Sequence, residues 1–318
     1  MKNIFIISLL IVIFSSCEKE LEIKTQEEEN KIVINSIVNP DSLFFAEITQ
    51  TFSPYANINI KDLTDAQVSV YENGNFVDYL TYHKVPGDII GKFIGNFKPE
   101  IGKTYKIAVN SPELGNAYSE TVIPGKVNLG NAKAVEIIWG EDNLTSTRFN
   151  FSFELSDPDT ANYYFMTIEF PVYKIDTITL DTAFVDYQYC EIETGDLSLA
   201  QLYLRNGWIF QDKSFNGTVH QISGTATTYR HPFSDLTNNI PSEIREKMYF
   251  VDFSAMYIRL YHLSYNLYQY YSSDAERLMS KNDLYSEPLS VFSNVENGYG
   301  IFGGENISLL KVKTIRIN

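Results

Sequence analysis

Apolar and polar residues alternate with a two-residue period over much of the chain, the pattern of strands with one face buried. From Lys31 to Ile123 the pattern predicts strands at Ile32 to Val38, Phe44 to Gln50, Ala66 to Tyr71, Phe76 to Tyr82, Lys92 to Phe97, Thr104 to Val109 and Ala117 to Ile123. Ala66, Val68 and Val70 share one face of their segment, as do Tyr105, Ile107 and Val109 of theirs. Between two of these runs stands Asn73-Gly74, a hairpin-turn signal because both residues tolerate positive φ. Short strands at this spacing predict an immunoglobulin-like or prealbumin-like sandwich over residues 31–125. Pro124-Gly125 and Gly130-Asn131 then punctuate the chain as a domain boundary.

A larger β-rich domain is expected over residues 133–318, with strands at Arg148 to Leu155, Tyr163 to Tyr173, Ile178 to Ile192, Trp208 to Phe210 and Gly217 to Ile222. Leu197 to Arg205 and Pro241 to Lys247 read as short helices, the second with proline in front and carboxylates in its first turn. Val251 to Leu263 alternates as one long strand and ends at Ser264, a natural N-cap. Beyond it Leu267, Tyr268, Tyr271, Ala275, Leu278 and Met279 fall on one stripe at helical spacing, with Asp274, Glu276, Arg277 and Lys281 outside it. One clear helix over about 264–280 follows. Leu289 to Phe292, Gly300 to Phe302 and Ile307 to Ile315 are the closing strand-like pieces.

The N-terminus departs from this pattern. Lys2 precedes an apolar run from Ile4 to Phe14, broken only by Ser8; it is about half the roughly 20 residues a membrane-spanning helix needs, so residues 1–16 read as a signal peptide. Phe14-Ser15-Ser16-Cys17 resembles the lipobox of bacterial lipoproteins, which implies cleavage before Cys17 and acylation of that cysteine. An ordinary secretory signal with an incidental cysteine is the alternative. Residues 17–30 carry six Glu against two Lys and little to bury, as a solvated tether does. They also resemble the export signal of Bacteroidota lipoproteins that reach the outer face of the outer membrane; a plain charged linker reads the same way.

Composition narrows the functional classes. Of 318 residues, 44% are hydrophobic, 22 are Tyr and 21 Phe, enough to form a core. A formal charge of -15 argues against nucleic acid as a partner. Two cysteines, Cys17 and Cys190, cannot make a disulfide framework or a Cys-rich zinc module. His83, His220, His231 and His262 show no metal-ligand spacing, and no metal or other cofactor is expected. Asp157-Pro158-Asp159 reads as a turn rather than a calcium loop. Gly298 to Gly303 matches GxGxxG, but strand-like sequence follows it where a dinucleotide site needs a helix, so close packing in a sheet is the better reading. Serine-nucleophile motifs are missing, and Cys190 sits in an alternating strand as buried thiols do.

Two patterns point outward. Tyr257, Tyr261, Tyr265, Tyr268, Tyr270 and Tyr271 form the densest aromatic cluster, suited to an interface or a carbohydrate platform. Tyr268 and Tyr271 lie on the apolar stripe, which leaves Tyr257, Tyr261, Tyr265 and Tyr270 as candidate partner or ligand contacts. Ser42, Thr160, Thr177 and Thr182 each follow Asp and precede an apolar residue, a pattern that resembles the O-glycosylation sequon of Bacteroidota.

The segment from Ser286 to Gly304, SEPLSVFSNVENGYGIFGG, resembles the C-terminal hallmark of a Bacteroidota lipoprotein family catalogued as domain of unknown function 4249. Asp65 to Tyr71 and the Asp157-Pro158 turn leading to Asn162-Tyr163-Tyr164 are similar in layout. Members are often encoded beside TonB-dependent receptors. The resemblance therefore implies an outer-membrane lipoprotein, lipid-anchored through Cys17 and facing the exterior, that serves a TonB-dependent β-barrel as a non-enzymatic binding or accessory subunit. It carries over no catalytic residues. A surface adhesin, or a surface hydrolase working through a carboxylate pair, are the alternatives.

Overall fold

The computed structural model describes residues 29–52, 60–137, 146–176, 179–196, 202–204, 206–229, 248–281 and 289–316. The fold is mainly β, with eighteen strands and one helix among the described residues. Seven strands form the first half: β1 (Ile32–Val38), β2 (Phe45–Gln50), β3 (Gln67–Glu72), β4 (Asn75–His83), β5 (Lys92–Ile94), β6 (Thr104–Ser111) and β7 (Gly115–Val122). The second half begins with β8 (Asn128–Ile137), β9 (Ser146–Ser156), β10 (Tyr163–Ile175), β11 (Thr182–Tyr189) and β12 (Glu191–Glu193). It continues through β13 (Leu202–Leu204), β14 (Gly207–Gln211), β15 (Val219–Tyr229), β16 (Tyr249–Val251), β17 (Ala255–Leu263), the helix α1 (Tyr265–Ser280) and β18 (Gly298–Arg316).

In the first half the pairings run β1, β2, β5, β4, β3, β6, β7. Beyond β7, Tyr118 exchanges backbone hydrogen bonds with Glu296, just ahead of β18, and β18 returns to β1 in parallel. The sheet thus wraps around one core, with Ile32, Ile34, Val70, Tyr105, Ile107 and Phe302 fully buried. Asn73 (φ 48°) and Gly74 (φ 84°) make the tight β3–β4 turn that their sequence announced.

A second core lies between β8, β9 and β15 on one side and β10 and β17 on the other. Alternation in β10 sends Tyr164, Met166, Ile168, Phe170 and Val172 into it, all at 0% exposure. β10 pairs with β17 along one flank and with β14 and then β11 along the other.

Several expectations are corrected. The Gly130-Asn131 boundary lies inside β8, where a register shift between Gly130 and Lys133 and a positive φ at Asn131 mark a bulge in a continuous strand. Leu202 to Leu204, expected as helix, is the strand β13 paired to β14. The long strand expected at Val251 to Leu263 breaks at Asp252, whose side chain accepts the Ser254 N–H, and β10 pairs with β16 and β17 on either side of this turn. Ile178 to Ile192 divides at Cys190 into β11 and β12. Leu289 to Phe292 is not a strand, whereas Gly300 to Phe302 and Ile307 to Ile315 are one strand of 19 residues. The expected helix at Pro241 to Lys247 lies outside the described residues.

Strand β18 joins the halves. Gly298 to Gly304 pairs with β1, Glu305 to Lys313 with β17, and Thr314 to Arg316 with β8. Helix α1 is pinned at the changeover: Ser264 caps its start by accepting the Leu267 N–H at 3.4 Å and also accepts the Gly304 N–H at 3.0 Å. Its stripe buries Leu267 and Ala275 and half-buries Tyr268 and Tyr271, but Leu278 and Met279 are exposed. Asp274, expected on the outer face, is buried and receives Arg277 at 2.6 Å.

Gly300 has φ +112°, and a Cβ there would collide with the Ile34 carbonyl oxygen. Gly300→Ala is therefore expected to cost about 3 kcal/mol, from backbone strain plus a clash that parts β18 from β1. Urea denaturation followed by aromatic fluorescence checks this; an unchanged midpoint would contradict the role given to the close approach.

Candidate functional site

The four singled-out tyrosines separate into two neighbourhoods. Tyr265 and Tyr270 belong to α1, where the halves meet. Tyr265, 55% exposed, and Tyr268 stand against Tyr163, with ring centroids 5.3 and 4.7 Å away. Tyr163 and Tyr265 border a cleft of about 450 Å³ lined also by Thr104, Glu120, His262 and Asn266. On the other side of α1, Tyr270 and Tyr271 join Phe165, Ile301, Phe45 and Asn35 around a cleft of about 390 Å³. Both volumes fall in the range of small-ligand sites.

Tyr257 and Tyr261 point from β17 toward the opposite side of the sheet from the second core. Tyr261 packs on Phe165 (5.4 Å), and burial pushes its hydroxyl up to about 12. Tyr257 lies farther along, 5.4 Å from Tyr187 and with the Lys311 ammonium 5.2 Å from its ring centre. From there a run of rings extends through Tyr187, Phe184, Tyr173 and Phe250. Phe184 is 52% exposed and Phe250 37%, so this ridge reaches solvent.

Between the two neighbourhoods the sheet buries charge. Glu169, 1% exposed, receives Arg259, whose guanidinium lies 4.8 Å from the Tyr187 ring centre. Burial raises the Glu169 carboxyl from its ordinary range and Arg259 opposes that rise. In the second core Asp157 accepts the Tyr164 hydroxyl at 2.5 Å and the Gly217 N–H at 2.9 Å, while Asp212 accepts the Asn162 N–H at 2.7 Å. Burial, with Asp157 as neighbour, raises the Asp212 carboxyl. These bonds clamp the Asp157-Pro158 turn, in keeping with its reading as a turn. No cluster of three or more His, Cys, Asp or Glu capable of holding a metal occurs among the described residues.

The remaining sequence candidates fall as follows. Cys17 and Thr177 lie outside the described residues. The Ser42 hydroxyl is buried without a hydrogen-bond partner, and Thr160 bonds Asn162 at 3.3 Å. Thr182 is exposed at the start of β11. The buried Cys190 thiol is pushed up by desolvation, as expected of an inert thiol. Gly298 and Gly300 of the GxGxxG match lie where a Cβ would meet the Ile32 and Ile34 carbonyl oxygens, so these glycines serve close strand approach. His262 is buried, which lowers its pKa, and its Nδ1 is 2.8 Å from the Gly125 carbonyl oxygen. Among the described residues no helix is long and apolar enough to cross a membrane.

A further surface had no mark in the sequence beyond alternation. The outer face of β3, β6 and β7 lines a groove of about 600 Å³. Strand register sets its side chains in three rows: Gln67, Asn110 and Asn116; Ser69, Ala108 and Tyr118; Tyr71, Lys106 and Glu120. The small pair Ser69 and Ala108 forms the floor. The inward residues Val68, Val70, Ile107 and Val109 were legible as core, and their polar partners looked like any solvated strand face.

A mainly β chain with, among the described residues, two cores, a capped helix and aromatic clefts where the halves meet is the class of protein this geometry defines. The family model described as "Domain of unknown function (DUF4249)" matches residues 18–308, and the chain belongs to that family. A search of curated proteins returns no match.

Glu305, next to Leu263 and Tyr261 beneath α1, has no hydrogen-bond or ion-pair partner among the described residues, and burial pushes its carboxyl up to about 7. A carboxyl raised on folding favours the fold while protonated, and that contribution is lost as pH rises through about 7. Glu305→Gln is expected to leave stability at pH 5 nearly unchanged and to raise it at pH 8, by on the order of 2 kcal/mol. Thermal melts of both forms at the two pH values check this, and equal shifts at both would refute it.

Proposed function

We propose that this chain is a surface-exposed outer-membrane lipoprotein that acts as a non-enzymatic binding or accessory subunit of a TonB-dependent transporter. The observation that carries the binding role is the pair of tyrosine-bordered clefts flanking α1, which present rigid aromatic faces with polar tips at the seam of the two halves. Membrane attachment rests on Phe14-Ser15-Ser16-Cys17 and the acidic residues that follow. The transporter partner rests on the genomic neighbourhood that the Bacteroidota resemblance implies, an associational warrant.

A surface adhesin is the second reading, favoured by the exposed ridge of Tyr173, Phe184, Tyr187, Phe250 and Tyr257. The hydrolase alternative finds a neighbouring carboxylate pair in Asp157 and Asp212, but both are buried and hold a turn.

Purification of the full chain in mild detergent is expected to bring a large β-barrel with it. Recovery of the chain alone, under conditions that keep known barrel complexes together, would overturn the accessory role. Mass spectrometry of the N-terminal peptide of the membrane-extracted protein is expected to find an acylated Cys17 as its first residue; an unmodified Cys17 would refute lipid anchoring at that residue. Intact mass of the native protein tests glycan at Thr160 and Thr182, the exposed candidate sites among the described residues: a mass equal to polypeptide plus lipid excludes it.

A further inference from the structure

We infer that the outer face of β3, β6 and β7 binds a neutral, hydroxyl-rich ligand, a short stretch of oligosaccharide. This site lies in the first half, is separate from the Tyr270 cleft, and does not depend on the transporter reading.

Charge excludes an ionic ligand first. The groove has one cation and one anion among its facing side chains, so its formal charge cancels: the Lys106 ammonium is 3.9 Å from Glu120 and 4.3 Å from the Tyr118 ring centre. The Tyr118 hydroxyl in turn bonds Glu296, outside the groove. A charged ligand would meet both signs within about 4 Å of each other and gain no net attraction.

What the groove offers instead is neutral hydrogen bonding. Gln67, Asn110 and Asn116 stand side by side in one row, and among the described residues their side-chain amides bond to no protein group. Each amide presents donors and an acceptor in one plane, the combination that meets adjacent hydroxyl groups. The opposite row is bordered by Tyr71, whose ring can lie against the C–H face of a sugar, and Tyr118 flanks the middle row. Between them the Ser69 and Ala108 floor lets a ligand approach the sheet. An apolar peptide would want deep pockets for side chains, whereas the Ser69 hydroxyl is already turned to the Ala108 carbonyl and the floor is shallow.

Dimensions agree. Three strands about 4.8 Å apart and three rows about 6.8 Å apart give a platform of roughly 10 by 14 Å, enough for two or three sugar rings. Its rim is held by the β3–β4 turn, where Asn73 accepts the Thr104 N–H at 3.1 Å, so the site is preformed.

The test is calorimetric titration of the full chain with neutral hexasaccharides of glucose, xylose, mannose and galactose, with hexagalacturonate and a Gly-Ser hexapeptide as the charged and peptide probes. At least one neutral hexasaccharide is expected to saturate, and hexagalacturonate and the peptide are not. Asn110→Ala and Tyr71→Ala, both on the outer face, are expected to weaken binding about tenfold or more with the melting temperature preserved, while Val85→Ala, exposed and outside every cleft described, leaves it unchanged. The inference fails if no neutral hexasaccharide saturates by about 10 mM, if the peptide or the acidic sugar binds more tightly, or if both groove variants bind like the parent. A failed barrel co-purification would leave this result intact, and the reverse also holds.

Discussion

Three strand pairings are made by one stretch of backbone. Along β18 the residues from Gly298 to Gly304 pair with β1, those from Glu305 to Lys313 with β17, and those from Thr314 to Arg316 with β8, while the Phe302 and Gly304 backbone groups turned the other way bond Asn294 and Ser264. Each buried peptide group must find a partner, and leaving one unpaired costs about 1–3 kcal/mol, so the register of β18 fixes where both cores sit relative to each other. The glycines at its start make the parallel approach to β1 sterically feasible, and Phe302 puts a side chain from this strand into the first core while Val312 enters the second.

The junction clefts follow from that register. Ser264 receives the Gly304 amide and caps α1 with the same oxygen, which sets the helix across the sheet at the changeover. Leu267 then packs on Gly303, where a side chain would leave no room, and the tyrosines on either side of the helix become the borders of the two clefts. Glu305 is a casualty of the same packing: it is left in apolar surroundings by the strand and helix that the fold needs there.

Period-two alternation made the first half legible almost strand by strand, because one face of each strand is core and the other solvent. It failed where that contrast fails. Gly130-Asn131 looked like a linker since a bulge uses the residues a turn uses, and β18 looked like separate pieces since its glycines dilute the apolar signal where backbone, not side chain, makes the contact. Leu202 to Leu204 carried a short apolar run that fits helix and strand alike, and only pairing to β14 decides it. Of the candidate site, the tyrosine stripe was visible but its division between two faces was not, because that depends on where β17 ends and α1 begins. The groove on β3, β6 and β7 was invisible for a different reason. Its amides come from three strands, and only register sets them side by side.

Shared ownership of β18 also dictates timing. Ile32 and its partner Gly298 stand at opposite ends of the described chain, so whatever process presents the chain from its N-terminus presents β1 well before β18. Through that interval β1 has β2 on one edge and an open row of amides and carbonyls on the other, the kind of edge that invites wrong partners. The first half is therefore not a finished folding unit until β18 is in place, despite being built mostly from contiguous strands.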